Sequence, residues 1–140
     1  MAGIFQIIGG GGATVKVTKS GELVTAPLSY DEVINQTLDS ANVAENFFAP
    51  KSQQQFVVTG IVANADKSVT TDVVVDVYEA DSLTSATIDK AIFHFEMLKN
   101  GDKDLIGLRI LVNSGVFINA KADDANVNIT IMGYYIKKLI

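Results

Sequence analysis

The side chains best suited to chemistry in this sequence are the single histidine, His94, and the carboxylates around it. His94 and Glu96 are two residues apart, so on a strand they share a face at a spacing of about 6.7 Å. They could orient one another or share a metal ion. Zinc sites, however, use three or four protein ligands, and the chain has one His and no Cys. We therefore expect a solvated polar face here and no metal site.

Two further carboxylate pairs make weak candidates for a catalytic or calcium site. Asp72 and Asp76 share a strand face but lie about 13 Å apart, whereas the carboxyl pairs of glycosidases lie roughly 5–9.5 Å apart. Asp123 and Asp124 fall in a predicted turn without the spacing of a calcium loop. The chain also lacks a G-x-S-x-G nucleophile motif. We expect a non-enzymatic protein with no catalytic residues.

The sequence predicts that the run Gly9 to Gly12 is a tether and not a phosphate-binding loop. A P-loop ends in Gly-Lys-Ser or Gly-Lys-Thr, and the chain contains neither. A dinucleotide-binding G-x-G-x-x-G also fails, because its third glycine position is occupied by Thr14 or Val15. Four consecutive glycines are instead typical of a flexible linker. No cofactor is expected.

The tetraglycine divides the chain into an apolar arm with its linker, residues 1–12, and a single domain, residues 13–140. The arm carries Ile4, Phe5, Ile7 and Ile8. One interpretation makes the arm an edge strand of the same domain, with the glycines forming its turn. The other has these four side chains dock onto a neighbouring subunit, since exposed apolar groups usually mark interfaces.

Composition and charge exclude several classes of partner. The chain has 140 residues, of which 48% are hydrophobic and 19% charged, as expected for one globular domain. The net charge is −5 and the lysines are scattered, whereas nucleic-acid-binding proteins concentrate Lys and Arg on one face. No apolar run reaches the ~18–20 residues that span a bilayer, and the N-terminus lacks a signal-peptide pattern. We expect a soluble protein made in the cytoplasm that binds neither nucleic acid nor membrane.

The pattern of residues predicts an all-β fold. Val, Ile and Thr supply 40 of the 140 residues, and these β-branched types favour strands. Apolar and polar residues alternate over 72–78 and 126–132, which is typical of half-buried antiparallel strands. In the first segment Val73, Val75 and Val77 share one face, and Asp72, Val74, Asp76 and Tyr78 share the other; in the second, the predicted core face is Val127, Ile129 and Ile131. Turn signals at intervals of mostly 10 to 19 residues predict an antiparallel β-sandwich of about 8–10 strands. The other candidate strands are 13–18, 22–25, 32–38, 42–48, 55–63, 90–98, 106–112 and 116–121.

Helical structure is only weakly signalled. Residues 30–38 could also form a helix capped by Asp31, and residues 81–90 could hold a short helical turn capped by Asp81 or Ser82. Neither stretch sustains the 3.6-residue period of a core helix.

One predicted strand face changes character along its length. The face that starts with Asn126, Asn128 and Thr130 continues with Met132 and Tyr134, so it turns from polar to semi-apolar. Tyr134 could be a tyrosine at the edge of the core. Alternatively, Met132 and Tyr134 form a subunit contact, since both residue types are enriched at interfaces.

Three stretches carry a family resemblance: 26–32 (APLSYDE), 73–81 (VVVDVYEAD) and 126–136 (NVNITIMGYYI). Together they resemble small all-β virion proteins of tailed bacteriophages. The resemblance implies a jelly-roll-like sandwich with a structural role in the virion, as a homotrimer that decorates or cements the capsid. The implied partners are the major capsid protein or another virion protein. These motifs are strand patterns, so they transfer no functional residues.

A second hypothesis is a receptor- or glycan-binding module of a tail fibre or a secreted protein. Such modules present flat aromatic platforms, and Tyr78, Tyr134 and Tyr135 could provide one. The absence of Trp weakens this hypothesis.

Overall fold

The computed structural model describes residues 32–88 and 90–137, which form eight β-strands. The predicted strands 13–18 and 22–25 and the arm residues Ile4, Phe5, Ile7 and Ile8 lie outside these ranges. Within them, no helix is long and apolar enough to cross a membrane. The strands are β1 (Glu32–Leu38), β2 (Glu45–Phe48), β3 (Gln54–Ala65), β4 (Val73–Ala80), β5 (Lys90–Met97), β6 (Asp102–Leu111), β7 (Phe117–Ala122) and β8 (Val127–Lys137).

The alternating segments form strands with the predicted faces. Val73, Val75 and Val77 of β4 are fully buried, as are Val127, Ile129 and Ile131 of β8. On β5, Phe95 and Met97 are buried whereas His94 and Glu96 are exposed. Residues 32–38 form strand β1 and not a helix. Their exposure alternates with a period of two, as expected for a strand.

The strands pair as if one long antiparallel hairpin had been rolled into two layers. Sheet I has the order β1-β8-β3-β6 and sheet II the order β2-β7-β4-β5. Strand 1 therefore pairs with 8, 2 with 7, 3 with 6 and 4 with 5, and all pairs are antiparallel. This is the strand arrangement of an eight-stranded jelly roll. The predicted antiparallel β-sandwich is confirmed.

The core lies between the two sheets. Its aromatic end is built by Phe48, Phe56 and Tyr135, in which the Phe48 and Phe56 rings stack with centroids 4.1 Å apart and Tyr135 meets Phe56 edge-on at 4.9 Å. Aliphatic side chains of β3, β4, β7 and β8 fill the rest. Among the described residues, every buried side-chain nitrogen or oxygen has a hydrogen-bond partner.

Three elements differ from the sequence-based expectation. Strand β2 begins at Glu45 and not at 42, because a turn at 41–42 precedes it. Strand β6 begins at Asp102 and not at 106, because its first residues are the exposed charged side chains of an edge strand, which show no apolar alternation. Residues 81–88 form a loop with a turn in which the Ser85 amide bonds the Ser82 carbonyl at 3.4 Å, instead of a helical turn.

Candidate functional site

The 81–88 loop covers the part of the outer face of sheet II that is formed by Tyr78 and Asn119. The buried Asn119 amide of β7 donates to the carbonyl oxygens of Ser82 at 2.9 Å and of Ser85 at 3.2 Å. The Tyr78 hydroxyl of β4 donates to the same Ser85 carbonyl at 2.8 Å, and Lys121 Nζ donates to the Ala86 carbonyl at 2.8 Å. Tyr78 is fully buried as a result. Its role is to hold this loop, so its ring cannot serve as an exposed platform.

Replacing Tyr78 by Phe tests this anchoring. We expect Tyr78→Phe to keep the fold, to lower the free energy of unfolding by about 1 kcal/mol and to speed amide exchange within 81–88, because the Ser85 carbonyl loses one donor. Chemical denaturation and hydrogen-exchange mass spectrometry measure both effects. Unchanged exchange in the loop would show that the hydroxyl does not hold it.

The buried phenol of Tyr78 also makes stability depend on pH in the alkaline range. Burial first, and then the nearby Asp76 carboxylate, raise the pKa of Tyr78 from 10.0 to about 12, against a smaller lowering by Asn119. Folding therefore favours the protonated phenol. This stabilisation is fully present below pH 10, the unfolded value, and is lost as the pH rises through about 12.

Ultraviolet titration of phenolate absorbance, compared between the wild-type protein and Tyr78→Phe, isolates the Tyr78 transition. We expect it near pH 12. A Tyr78 transition near pH 10 would mean that the loop does not cover the ring in solution.

His94 pairs with a carboxylate on the neighbouring strand and not with Glu96. Its Nδ1 lies 2.6 Å from Asp76 Oδ1, since the register places His94 of β5 directly opposite Asp76 of β4. The imidazole is mostly exposed. Among the described residues, no group of three or more His, Asp or Glu side chains could hold a metal ion.

The other notable carboxylates have structural partners. Asp123 Oδ1 accepts the Val74 amide at 2.8 Å, and Asp124 Oδ2 accepts the Thr71 hydroxyl at 3.2 Å. Both carboxylates therefore tie the segment between β7 and β8 to the start of β4, a role that the predicted solvated turn did not include. The buried Glu79 accepts the Asn113 backbone and side-chain amides at 3.0 and 2.8 Å and forms an ion pair with Lys90 at 3.2 Å.

Tyr135 is likewise engaged within the domain. Its hydroxyl donates to the Ala49 carbonyl at 2.8 Å. The Lys51 Nζ lies 3.9 Å from the centroid of its ring and forms an ion pair with Glu32 Oε1 at 3.1 Å. Burial, followed by the negative charge of Glu32, raises the pKa of Tyr135. These contacts fasten the loop between β2 and β3 to β8.

The outer face of sheet I is divided into a polar half and an apolar half. Asn35 of β1 donates to Asn128 Oδ1 at 2.7 Å and to Thr130 Oγ1 at 2.6 Å, both on β8. These side chains belong to two rows that run across the sheet from β1 and β8 onto β3 and β6. On β6 the rows end at Asp104 and Asp102. The polar half comprises the rows Asn35–Thr130–Val62–Asp104 and Thr37–Asn128–Asn64–Asp102.

The next two rows form what we call the apolar half-face. The first row runs across all four strands, and the second lies beside it and covers β8, β3 and β6. Neither row contains a charged side chain. Val33, Ile106 and Leu111 are 59%, 71% and 51% exposed. The apolar half-face comprises the rows Val33–Met132–Gly60–Ile106 and Tyr134–Val57–Leu111.

Gly60 gives this surface its shape. A Cβ atom at position 60 would lie 2.7 Å from Met132 Cε, so the methionine side chain lies over the glycine in the centre of the first row. Met132 is thereby half-buried and flanked by the exposed Val33 and Ile106. A flexible thioether beside exposed aliphatic groups forms an adaptable apolar contact surface.

The β6 edge of sheet I has features that disfavour pairing with another strand. Strand β6 carries exposed Asp102, Lys103 and Asp104, and Gly107 has a φ of 76° at an irregularity in its pairing with β3. Charges and bulges on an edge strand disfavour sheet extension. Contact through the face of sheet I is therefore favoured over contact through the β6 edge.

No family model and no curated protein matches this sequence.

The structure brings two of the predicted contact residues together with three that the sequence did not single out. Met132 and Tyr134 both lie on the apolar half-face, where the predicted change from polar to semi-apolar takes place. Val33, Ile106 and Leu111 join them only through strand register, which no local pattern displays. The stretch Leu105–Leu111, which is apolar except for Gly107 and Arg109, was a weak signal, because it places apolar side chains on both faces of an edge strand.

Proposed function

We propose that this protein is a non-enzymatic structural component of a phage virion, a capsid decoration or stabilisation protein that self-associates through its apolar half-face. The proposed self-association rests on one observation. Two adjacent rows without charged residues place three exposed large aliphatic side chains on an open sheet face. The remaining exposed large apolar residues of the described chain, Val43, Leu83, Ile88 and Leu98, lie in loops and turns. Exposed apolar surface concentrated on one face is typical of a contact site.

The virion assignment draws on the resemblance of the strand sequences to small phage proteins. The fold is compatible with it, since jelly rolls occur in viral capsid domains, but they also occur in lectins and cupins. A fold alone does not select a function. The proposal of a non-enzymatic binding role is therefore supported mainly by the apolar half-face. It is also supported by the carboxylates and tyrosines described above, most of which bond to other parts of the domain.

The glycan-binding alternative has less support because its three tyrosines do not share a surface. Tyr78 is buried beneath the 81–88 loop of sheet II. Tyr134 and Tyr135 are successive residues of β8 and point to opposite faces of sheet I. One half-exposed aromatic ring on the apolar half-face does not make a platform.

Sedimentation velocity of the full chain over a wide concentration range tests the self-association. We expect a concentration-dependent shift from monomer to a single closed oligomer, for which the resemblance favours a trimer. A strictly monomeric chain at all concentrations would overturn the proposal. A gene position beside capsid genes would support the assignment to the phage head, whereas a position among tail-fibre or secretion genes would contradict it.

A further inference from the structure

The apolar half-face is too small to hold two whole domains together but has the size of one short extended segment. From Val33 to Ile106 it spans three strand spacings, about 14 Å, and its two rows cover roughly 200 Å². Stable complexes bury about 800 Å² on each partner. An extended run of five residues is about 17 Å long, which matches the width of the sheet.

The sequence contains one such run outside the described residues. Residues 4–8 include Ile4, Phe5, Ile7 and Ile8, and no charged side chain occurs in residues 1–12. The two rows of the apolar half-face likewise contain no charged side chain, and the charge nearest to them on β6 is the exposed Arg109, between Ile106 and Leu111. The polar half, by contrast, carries Asp102 and Asp104 within its rows. An uncharged apolar segment therefore fits the apolar rows and would be excluded from the acidic ones.

The course of the chain brings this segment within reach. Strand β1 starts at Glu32, next to Val33, so the preceding chain enters the domain at the apolar end of this face. Residues 9–31 can extend to at most about 75 Å, which is enough to reach an adjacent domain, and they include the tether predicted from the sequence at Gly9 to Gly12.

We infer that residues 4–8 of one copy bind across β1, β8, β3 and β6 on the apolar half-face of a neighbouring copy. This inference rests on the proposed self-association and names its two contacting surfaces. A segment on one copy and a face on the next form a head-to-tail contact, which closes into a ring when the rotation permits. A small contact repeated around a ring gains strength from multivalency.

The absence of cysteine from the chain allows a direct test by disulfide trapping. Two single-cysteine variants, Phe5→Cys and Ile106→Cys, are mixed and oxidised, and the linked product is identified by mass spectrometry. We expect the Phe5–Ile106 heterodimer at ten-fold or greater yield over a mixture of Phe5→Cys with Leu98→Cys. Leu98 is a matched control because it is 72% exposed, against 71% for Ile106, and lies in the turn at the polar end of β6.

A second variant distinguishes the outcomes. Phe5→Asp should weaken self-association at least ten-fold and leave the unfolding temperature of the domain unchanged. If the double variant Phe5→Cys/Ile106→Cys forms an internal disulfide while the mixed single variants form none, the segment binds its own chain and the inference fails. If neither variant affects an oligomer that still forms, the inference fails and the proposed function stands. If the unmodified chain never associates, both fail.

Discussion

Ile106→Glu is expected to weaken self-association about 100-fold while leaving the folded domain as stable as the wild type. Ile106 is 71% exposed and ends the first row of the apolar half-face. In the free domain the new carboxylate remains in water, where surface substitutions change stability by about 0.5 kcal/mol or less. In the assembly it must lose water against apolar groups without a partner, and about 3 kcal/mol of lost binding corresponds to roughly 100-fold.

Leu98→Glu is the matched control for this prediction. It makes the same chemical change at an equally exposed residue, but in the β5–β6 turn outside the apolar half-face. Sedimentation equilibrium measures the association constants, and thermal denaturation measures the stabilities. Equal weakening by both variants would show that added negative charge on a chain of net charge −5, and not the apolar half-face, controls association.

Gly133→Ala is expected to destabilise the domain by about 3 kcal/mol or to prevent folding. Gly133 lies on the inner face of β8, where a Cβ atom would meet the Val57 carbonyl oxygen at 2.1 Å and the Phe56 ring at 2.5 Å. The carbonyl belongs to the central β3–β8 ladder and cannot move away. Overpacking of this kind costs about 1–3 kcal/mol, and more when backbone must shift.

Gly60→Ala provides the comparison on the opposite face of the same sheet. There the added Cβ would meet the end of the Met132 side chain, 2.7 Å away, which can rotate out of the way. We expect a loss of less than 1 kcal/mol, measured by urea denaturation of both variants. If Gly133→Ala lowered the free energy of unfolding as little as Gly60→Ala does, β8 would not pack closely against Phe56 in solution.

The sequence predicted the strands and their faces wherever local alternation carried the information. The spacing of Val73, Val75 and Val77 placed them together on one strand face, and all three are fully buried. Alternation also placed Tyr78 on the outer face with Asp76, which is correct. It could not predict that Tyr78 is buried, because its cover is the 81–88 loop held by Asn119 of a distant strand.

The candidate site depended on information that no local window contains. Val33, Gly60 and Ile106 meet Met132 in one row only after β1, β3 and β6 have found their register around β8. The change in character at Met132 and Tyr134 was visible in the sequence because it occurs within one strand. The charged start of β6 was missed since edge strands replace alternation by exposed charges.

The most direct test of the central claim is hydroxyl-radical footprinting of side chains in the full-length protein at concentrations below and above its assembly. We predict that oxidation of Val33, Ile106, Leu111 and Met132 falls sharply in the assembled protein, whereas oxidation of the exposed Val43 and Leu98 does not change. Equal oxidation of the apolar half-face at all concentrations, or protection located on another surface, would contradict the account.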